Sequence, residues 1–152
     1  MSNGNRLDAI LYDRKVGTLE RGQDGLHFFY DRQWLEDASE GRGHALSLSM
    51  PLTPVEHGPE VVEAFIAGLL PESNQHRNRI AQAFGLPAAH ESDFEFLRLI
   101  GRDCAGAVVF ADPAEKNRAL REPPGFKVVS EEELAQLLRE LPARPLVDDP
   151  VL

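Results

Sequence analysis

The stretch most able to do chemistry is Gly101-Arg102-Asp103-Cys104-Ala105-Gly106. Its glycines stand at the spacing of a phosphate-binding loop. Such a loop continues with Lys and Ser or Thr and runs from a strand into a helix, whose N-terminal amides converge on the anion. Here Ala107-Val108 follow, and the order reads helix, turn, strand. Donors for a phosphate are therefore not assembled. The expectation is a structural turn, with Gly101 ending a helix in a left-handed conformation and Gly106 allowing close packing. Cys104 has only Arg102 nearby to favour a thiolate, so a small packed thiol is its expected role.

The five histidines, His27, His44, His57, His76 and His90, include no two within three to five residues, and none stands at metal-ligand spacing from Cys104. No metal site is expected. Glu60, Glu63, Glu72 and the triplet Glu131-Glu132-Glu133 suit helix N-termini better than acid/base pairs. Asp148-Asp149 falls in an apparent tail. No catalytic residue and no cofactor is expected from these patterns.

Two features read as contact rather than chemistry. Asn74–Arg79, NQHRNR, gives one helix a polar and locally basic face. Arg77 and Arg79 are candidate partner contacts there, against the alternative of a solvated face. Trp34 is the single tryptophan, set in a polar segment. It reads either as an interface anchor or as a lid folded back on the core.

Composition bounds the rest. The chain has 152 residues, 42% hydrophobic and 27% charged, as an ordinary globular domain does. Its formal charge of −9 opposes a phosphate backbone, so direct nucleic-acid binding is disfavoured. One cysteine precludes an internal disulfide and fits a reducing compartment. No signal sequence is visible, and no apolar run approaches the ~18–20 residues that span a bilayer. A cytoplasmic location, off the membrane, is expected.

Leu7–Tyr12 reads as a first strand, residues 13–15 as a turn and Val16–Leu19 as a second strand. Asp24-Gly25 marks a hairpin into Leu26–Tyr30, and such short connections require antiparallel pairing. Residues 31–43 read as a polar excursion. Leu46, Leu48 and Met50 alternate with Ser47 and Ser49, the period of a strand with one buried face, which Pro51 and Pro54 end. Pro59 opens a helix with Val62, Phe65, Ile66, Leu69 and Leu70 inward, and Pro71 stops it. A second helix covers 74–84, with Ile80, Ala83 and Phe84 inward. Ser92 and Glu95 form a capping box for a third, with Phe96, Leu97 and Ile100 on one face, leading to the strand Ala107–Phe110. Residues 111–125 read as a loop and 126–129 as an edge strand. Ser130 and Glu133 box a last helix bearing Leu134, Leu137, Leu138 and Leu141. The expected class is α+β: an antiparallel sheet packed on one side by about four helices. The domain spans 7–141, and 142–152 is a linker or tail rich in Pro and Asp.

Four ordered blocks resemble the N-terminal part of HipA-type toxin kinases: ALSLSMPL at 45–52, FIAGLLPES at 65–73, RNRIAQAFGL at 77–86 and IGRDCAGAV at 100–108. The motif positions are Leu46, Leu48, Pro51, Leu69, Leu70, Pro71, Gly101, Arg102, Asp103 and Gly106. The resemblance implies an α+β subdomain ahead of the phosphotransfer machinery of a bacterial serine/threonine protein kinase. It also implies a small DNA-binding antitoxin, HipB, which represses the shared operon and restrains the kinase. The family's phosphate-binding segment (Ser, Gly-Ala-Gln and a Lys), catalytic Asp, magnesium-holding Asn and Asp, and ATP-binding Lys lie further downstream. None of these segments occurs in residues 1–152, and phosphoryl transfer needs them together. The expectation is a non-catalytic regulatory and interaction domain. It would meet a HipA-like kinase core in cis or in trans, a HipB-like antitoxin and, by self-association, its own copies.

The same resemblance implies a second reading, a stand-alone inhibitor like HipS, in which a tryptophan blocks the active site of a separate kinase. Trp34 is its candidate here. A reading of another class, a small-molecule-binding domain with its site at Gly101–Gly106, lacks paired titratable groups on rigid elements.

Overall fold

Tyr12 and Asp13 both take left-handed backbone, with φ of 50 and 61. That is the geometry of a tight turn whose twist matches a hairpin. The turn joins β1 (Arg6–Leu11) to β2 (Arg14–Arg21), with Leu11 opposite Arg14. The second strand therefore starts at Arg14, and Arg14 and Lys15 lie in it rather than in the expected turn.

The structure, a computed structural model, describes residues 4–84, 92–102, 104, 106–114 and 128–140. They belong to two compact units, one of Met1–Leu70 with Glu91–Arg121 and one of Pro71–His90 with Glu122–Leu152. In the first unit β3 (Leu26–Tyr30) pairs antiparallel with β2, and β4 (Val109–Ala111) pairs antiparallel with β1. The order is β3-β2-β1-β4, one antiparallel sheet with β1 and β2 central. Centrality explains why Leu7, Asp8, Ala9 and Ile10 are all buried, on both faces. Asp8 is paired in that setting with Lys15 Nζ, 2.7 Å away.

Register shifts between Ala9 and Ile10, which leaves Val16 as an extra residue on β2. Beside this bulge a Cβ on Gly17 would lie 2.3 Å from the Phe29 carbonyl oxygen and 2.5 Å from Phe28 Cζ. Glycine is required there by close approach. The β2–β3 turn is closed by the Gly22 amide donating to the Gly25 carbonyl at 2.8 Å, with Gly25 at φ 138.

Among the described residues of this unit are the helices α1 (Arg32–Ser39), α2 (Pro59–Ala67) and α4 (Asp93–Ile100). The second unit holds α3 (Asn74–Ala83) and α5 (Glu131–Glu140). An α+β fold is thus observed: a four-stranded antiparallel sheet and five helices among the described residues.

α1 lies in the expected polar excursion. Asp31 caps it, Oδ1 accepting from the Gln33 amide at 3.0 Å. At α4, Ser92 accepts from the Glu95 amide at 3.5 Å. The Glu95 carboxylate takes Arg21 Nη1 at 2.6 Å instead of completing a box. The Ser130–Glu133 box is complete: the Ser130 amide donates to Glu133 Oε2 at 2.8 Å, and the Glu133 amide to Ser130 Oγ at 3.2 Å.

Gly101 has φ −60, so it does not end α4 in a left-handed conformation. Its amide carbonyl accepts from Phe110 at 2.8 Å, and a Cβ would lie 2.3 Å from the Phe110 oxygen. Gly106 is the positive-φ glycine, at 96, with nothing closer to its Cβ position than Leu69 Cδ2 at 4.0 Å. The two glycines exchange the roles expected of them. Phe126 and Lys127 lie outside the described residues, while Val128 and Val129 are in no strand. The tail at 142–152 is also outside them.

Candidate interaction surface

Between α1 and α2 the chain runs for almost twenty residues without a strand or helix, yet it is fastened by hydrogen bonds from side chains of its neighbours. Tyr30 is the main fastening. Its hydroxyl donates to the Met50 carbonyl at 2.7 Å and accepts from the Leu46 amide at 2.9 Å. Burial pushes the Tyr30 phenol up from its ordinary 10.0, opposed in part by the Leu46 amide. The phenol therefore stays a donor throughout the neutral range.

Between those two bonds the chain turns sharply. The Met50 amide donates back to the Ser47 carbonyl at 3.1 Å, and the Ser47 and Ser49 hydroxyls meet at 2.9 Å. Met50 is fully buried and Leu48 fully exposed (102%). The expected strand at Leu46–Met50 is accordingly a tight turn. Its Leu/Ser alternation comes from a turn that points one apolar side chain in and the next one out. Further along, His57 pairs through its backbone with Phe28 (3.0 and 2.9 Å), and its Nε2 lies 3.0 Å from the Pro51 carbonyl. Its ring also packs edge-on to Tyr30 at 5.6 Å.

Trp34 holds the other end of this segment. It is 2% exposed, and its indole N–H donates to the His44 carbonyl at 3.0 Å. The Arg14 guanidinium lies over the ring at 5.1 Å. One helical turn on, buried Asp37 accepts from Arg14 Nη2 and, at 2.9 Å, from Arg42 Nη2. Trp34 is thus a packed and hydrogen-bonded side chain, not an exposed contact, because α1 turns its face onto the core.

The remaining motif positions are scattered. Leu46 is half-buried and Pro51 exposed, Leu69 half-buried and Leu70 buried, Gly101 buried, and Arg102 and Gly106 exposed; Asp103 lies outside the described residues. Cys104 is half-buried, its thiol 3.4 Å from the Val108 carbonyl and 3.6 Å from that of Gly101, so it fastens the turn. In the second unit, Pro71 is half-buried and its carbonyl accepts from Arg77 Nε at 2.7 Å, which turns the half-buried Arg77 toward its own chain. Arg79 on the same helix is exposed. The structure does not bring Trp34 together with the two arginines in one unit.

Sequence reasoning missed Tyr30, Asp37, His57, Leu52 and Val55. Leu52 (37%) and Val55 (66%) extend the exposure of Leu48. A signal was present: residues 45–55 contain no Asp, Glu, Lys or Arg. Elsewhere in the first unit His27 Nε2 lies 2.9 Å from Asp24 Oδ1, and that hydrogen bond lowers the Asp24 carboxyl from its ordinary 3.8. Among the described residues no group of three or more His, Cys, Asp or Glu is placed to hold a metal ion. No helix among them is long and apolar enough to cross a membrane.

Residues 7–111 match the family model described as the HipA N-terminal domain. That range runs from Leu7 in β1 to Ala111 at the end of β4 and holds the whole 44–57 segment. Among solved structures, the chain is similar to HipA of Shewanella oneidensis MR-1, determined as a toxin–antitoxin complex of HipA, HipB and operator DNA. Identity is 23% and the TM-score 0.64, over 88% of this chain. The match spans 29% of that HipA chain.

Proposed function

We propose, because this chain belongs to the family of HipA N-terminal domains, that it is the non-catalytic interaction domain of a HipA-type toxin–antitoxin system. The observation that carries this is the family match from β1 to β4. Its role is to contact and regulate a HipA-like serine/threonine kinase core, in cis or in trans, in the bacterial cytoplasm. A HipB-like DNA-binding antitoxin is the second partner, in keeping with the complex in which the similar HipA was determined. DNA itself is met by that partner, since a chain of charge −9 is repelled by a phosphate backbone.

Phosphoryl transfer needs a phosphate cradle, a magnesium-holding carboxylate and a positioned base. Those segments belong to the larger part of a HipA-type polypeptide, so the chain alone is expected to transfer no phosphate. Incubating the purified chain with γ-labelled ATP and a protein substrate tests this. Label appears only when a HipA-type kinase portion is joined to it or added. Transfer by the chain alone overturns the reading. A HipS-like inhibitor acting through Trp34 is not favoured, because that side chain is buried and its N–H is already bonded.

A further inference from the structure

Leu48 combines two properties that rarely coincide. It is apolar and in water, with Leu52 and Val55 the other large hydrophobic side chains that this segment exposes. It also stands on a fixed backbone. The turn at 47–50 is closed by its own amide and hydroxyls, anchored by Met50 and tied at both ends to one buried phenol. Leu48 cannot fold back onto the core without breaking those bonds. A leucine held outward this way has already lost the freedom that binding would otherwise remove, which is how an interface anchor is pre-organised.

Chemistry narrows the occupant. No charged residue lies between Ala45 and Val55 in a chain that is 27% charged. Such depletion is the compositional mark of an interface core and calls for an uncharged, apolar seat. Nucleic acid is excluded by that requirement. A second copy would bring a further −9 against this chain's −9. The fold is matched to 29% of a HipA chain, so more than two thirds of such a polypeptide lies outside the match.

We infer that the Ser47–Met50 turn is a docking knob. Leu48 enters an apolar pocket on the larger, kinase-bearing part of a HipA-type polypeptide, with Leu52 and Val55 at the rim. This rests on the function proposed above and adds the surface by which it operates.

The test uses the natural gene product expressed with its genomic neighbours, carrying a photo-crosslinking amino acid in place of Leu48. Cross-linked peptides are then sequenced by mass spectrometry. The expected result is a cross-link to the kinase-bearing part, whether that part is continuous with this chain or separate. Leu48→Asp in the same product should raise hydrogen exchange in the cross-linked pocket at least tenfold, with the melting temperature of this domain unchanged. Leu48→Ser is the second variant should the aspartate impair folding. Cross-links only to a second copy, only to a DNA-binding partner, or none at all overturn the inference, as does unchanged exchange in the pocket. If a kinase-bearing part is joined or co-purifies but is met through another face, this inference fails and the proposed function stands. If no such part is joined or co-purifies, the proposed function fails as well.

Discussion

Two connectors of the first unit solve the same problem in opposite ways. The Gly101–Val108 connector carries the chain from α4 into β4, with its two ends, Gly101 and Val108, buried. Its closure is made by backbone and a thiol: the Phe110 amide on the Gly101 carbonyl, and Cys104 Sγ beside Val108. The 44–57 connector between α1 and α2 is held by the side chains of other elements. Tyr30 reaches it from β3 and Trp34 from α1. The first is specified by the absence of a side chain, the second by large ones. A connector closed by its own backbone needs only room at Gly101, whereas one held by side chains needs anchors, and those anchors leave it free to present Leu48.

The contrast is broken most severely at Gly101. Replacement by Ala puts a Cβ 2.3 Å from the Phe110 carbonyl, a backbone atom that cannot swing aside. A loss of more than about 4 kcal/mol, or failure to fold, is expected in denaturant unfolding. The neighbouring Gly106→Ala has space and meets only the positive φ, so about 1 kcal/mol is expected there. Equal losses at the two sites would mean that closeness is not what Gly101 provides.

Next in size is Trp34→Ala, which removes a buried aromatic and leaves the His44 carbonyl without its donor. About 3–4 kcal/mol is expected, together with loss of the single-tryptophan fluorescence change on unfolding. A loss under about 1 kcal/mol would mean that Trp34 is held for contact rather than for packing.

Tyr30→Phe keeps the ring and removes only the hydroxyl, at a cost of about 1–2 kcal/mol. Hydrogen exchange should rise at Leu46 and Met50 while Phe110 stays protected. The same bond has an alkaline limit. Because the folded phenol is raised above its ordinary 10.0, its contribution is full below pH 10 and is lost as pH climbs through the elevated value. Tyr30→Phe should be free of that alkaline loss.

The smallest effect is expected at Asp24. Its carboxyl is lowered from 3.8 by His27, so the contribution is present above 3.8 and lost as pH falls through the lower folded value. Asp24→Asn should destabilise slightly at neutral pH and match the parent in strong acid. Identical acid unfolding curves would remove the His27 hydrogen bond as the cause.

The elements that follow simple periodicity were legible in the residues: the three-stranded meander, α2, α3, α4, α5 and the strand that follows α4. α1 was not, because its inward face includes Asp37, a carboxylate buried between two arginines, which scores as surface until its partners are known. The 46–50 turn was misread for the converse reason. Leu48 is apolar and exposed, and alternation alone cannot tell an outward leucine from an inward one. Gly101 and Gly106 were both recognised as structural, but φ and crowding are set by what β4 brings near, not by local sequence. The surface itself was legible only as a stretch without charge, since Tyr30 and Trp34 come to it from outside.

β4 completes the sheet by pairing Val109 with Ile10 and Ala111 with Asp8, joining the two ends of the matched region. During synthesis the meander emerges first, and the outer edge of β1 stays unpaired until almost all of the unit has left the ribosome. Closing so long a loop is slow, because its entropy must be overcome before the last strand contributes. Meanwhile a buried-type strand, apolar on both faces, offers its open amides to any other chain. The nascent protein is therefore most prone to aggregate while β4 is still missing, and any chaperone that helps it has that one edge to cover.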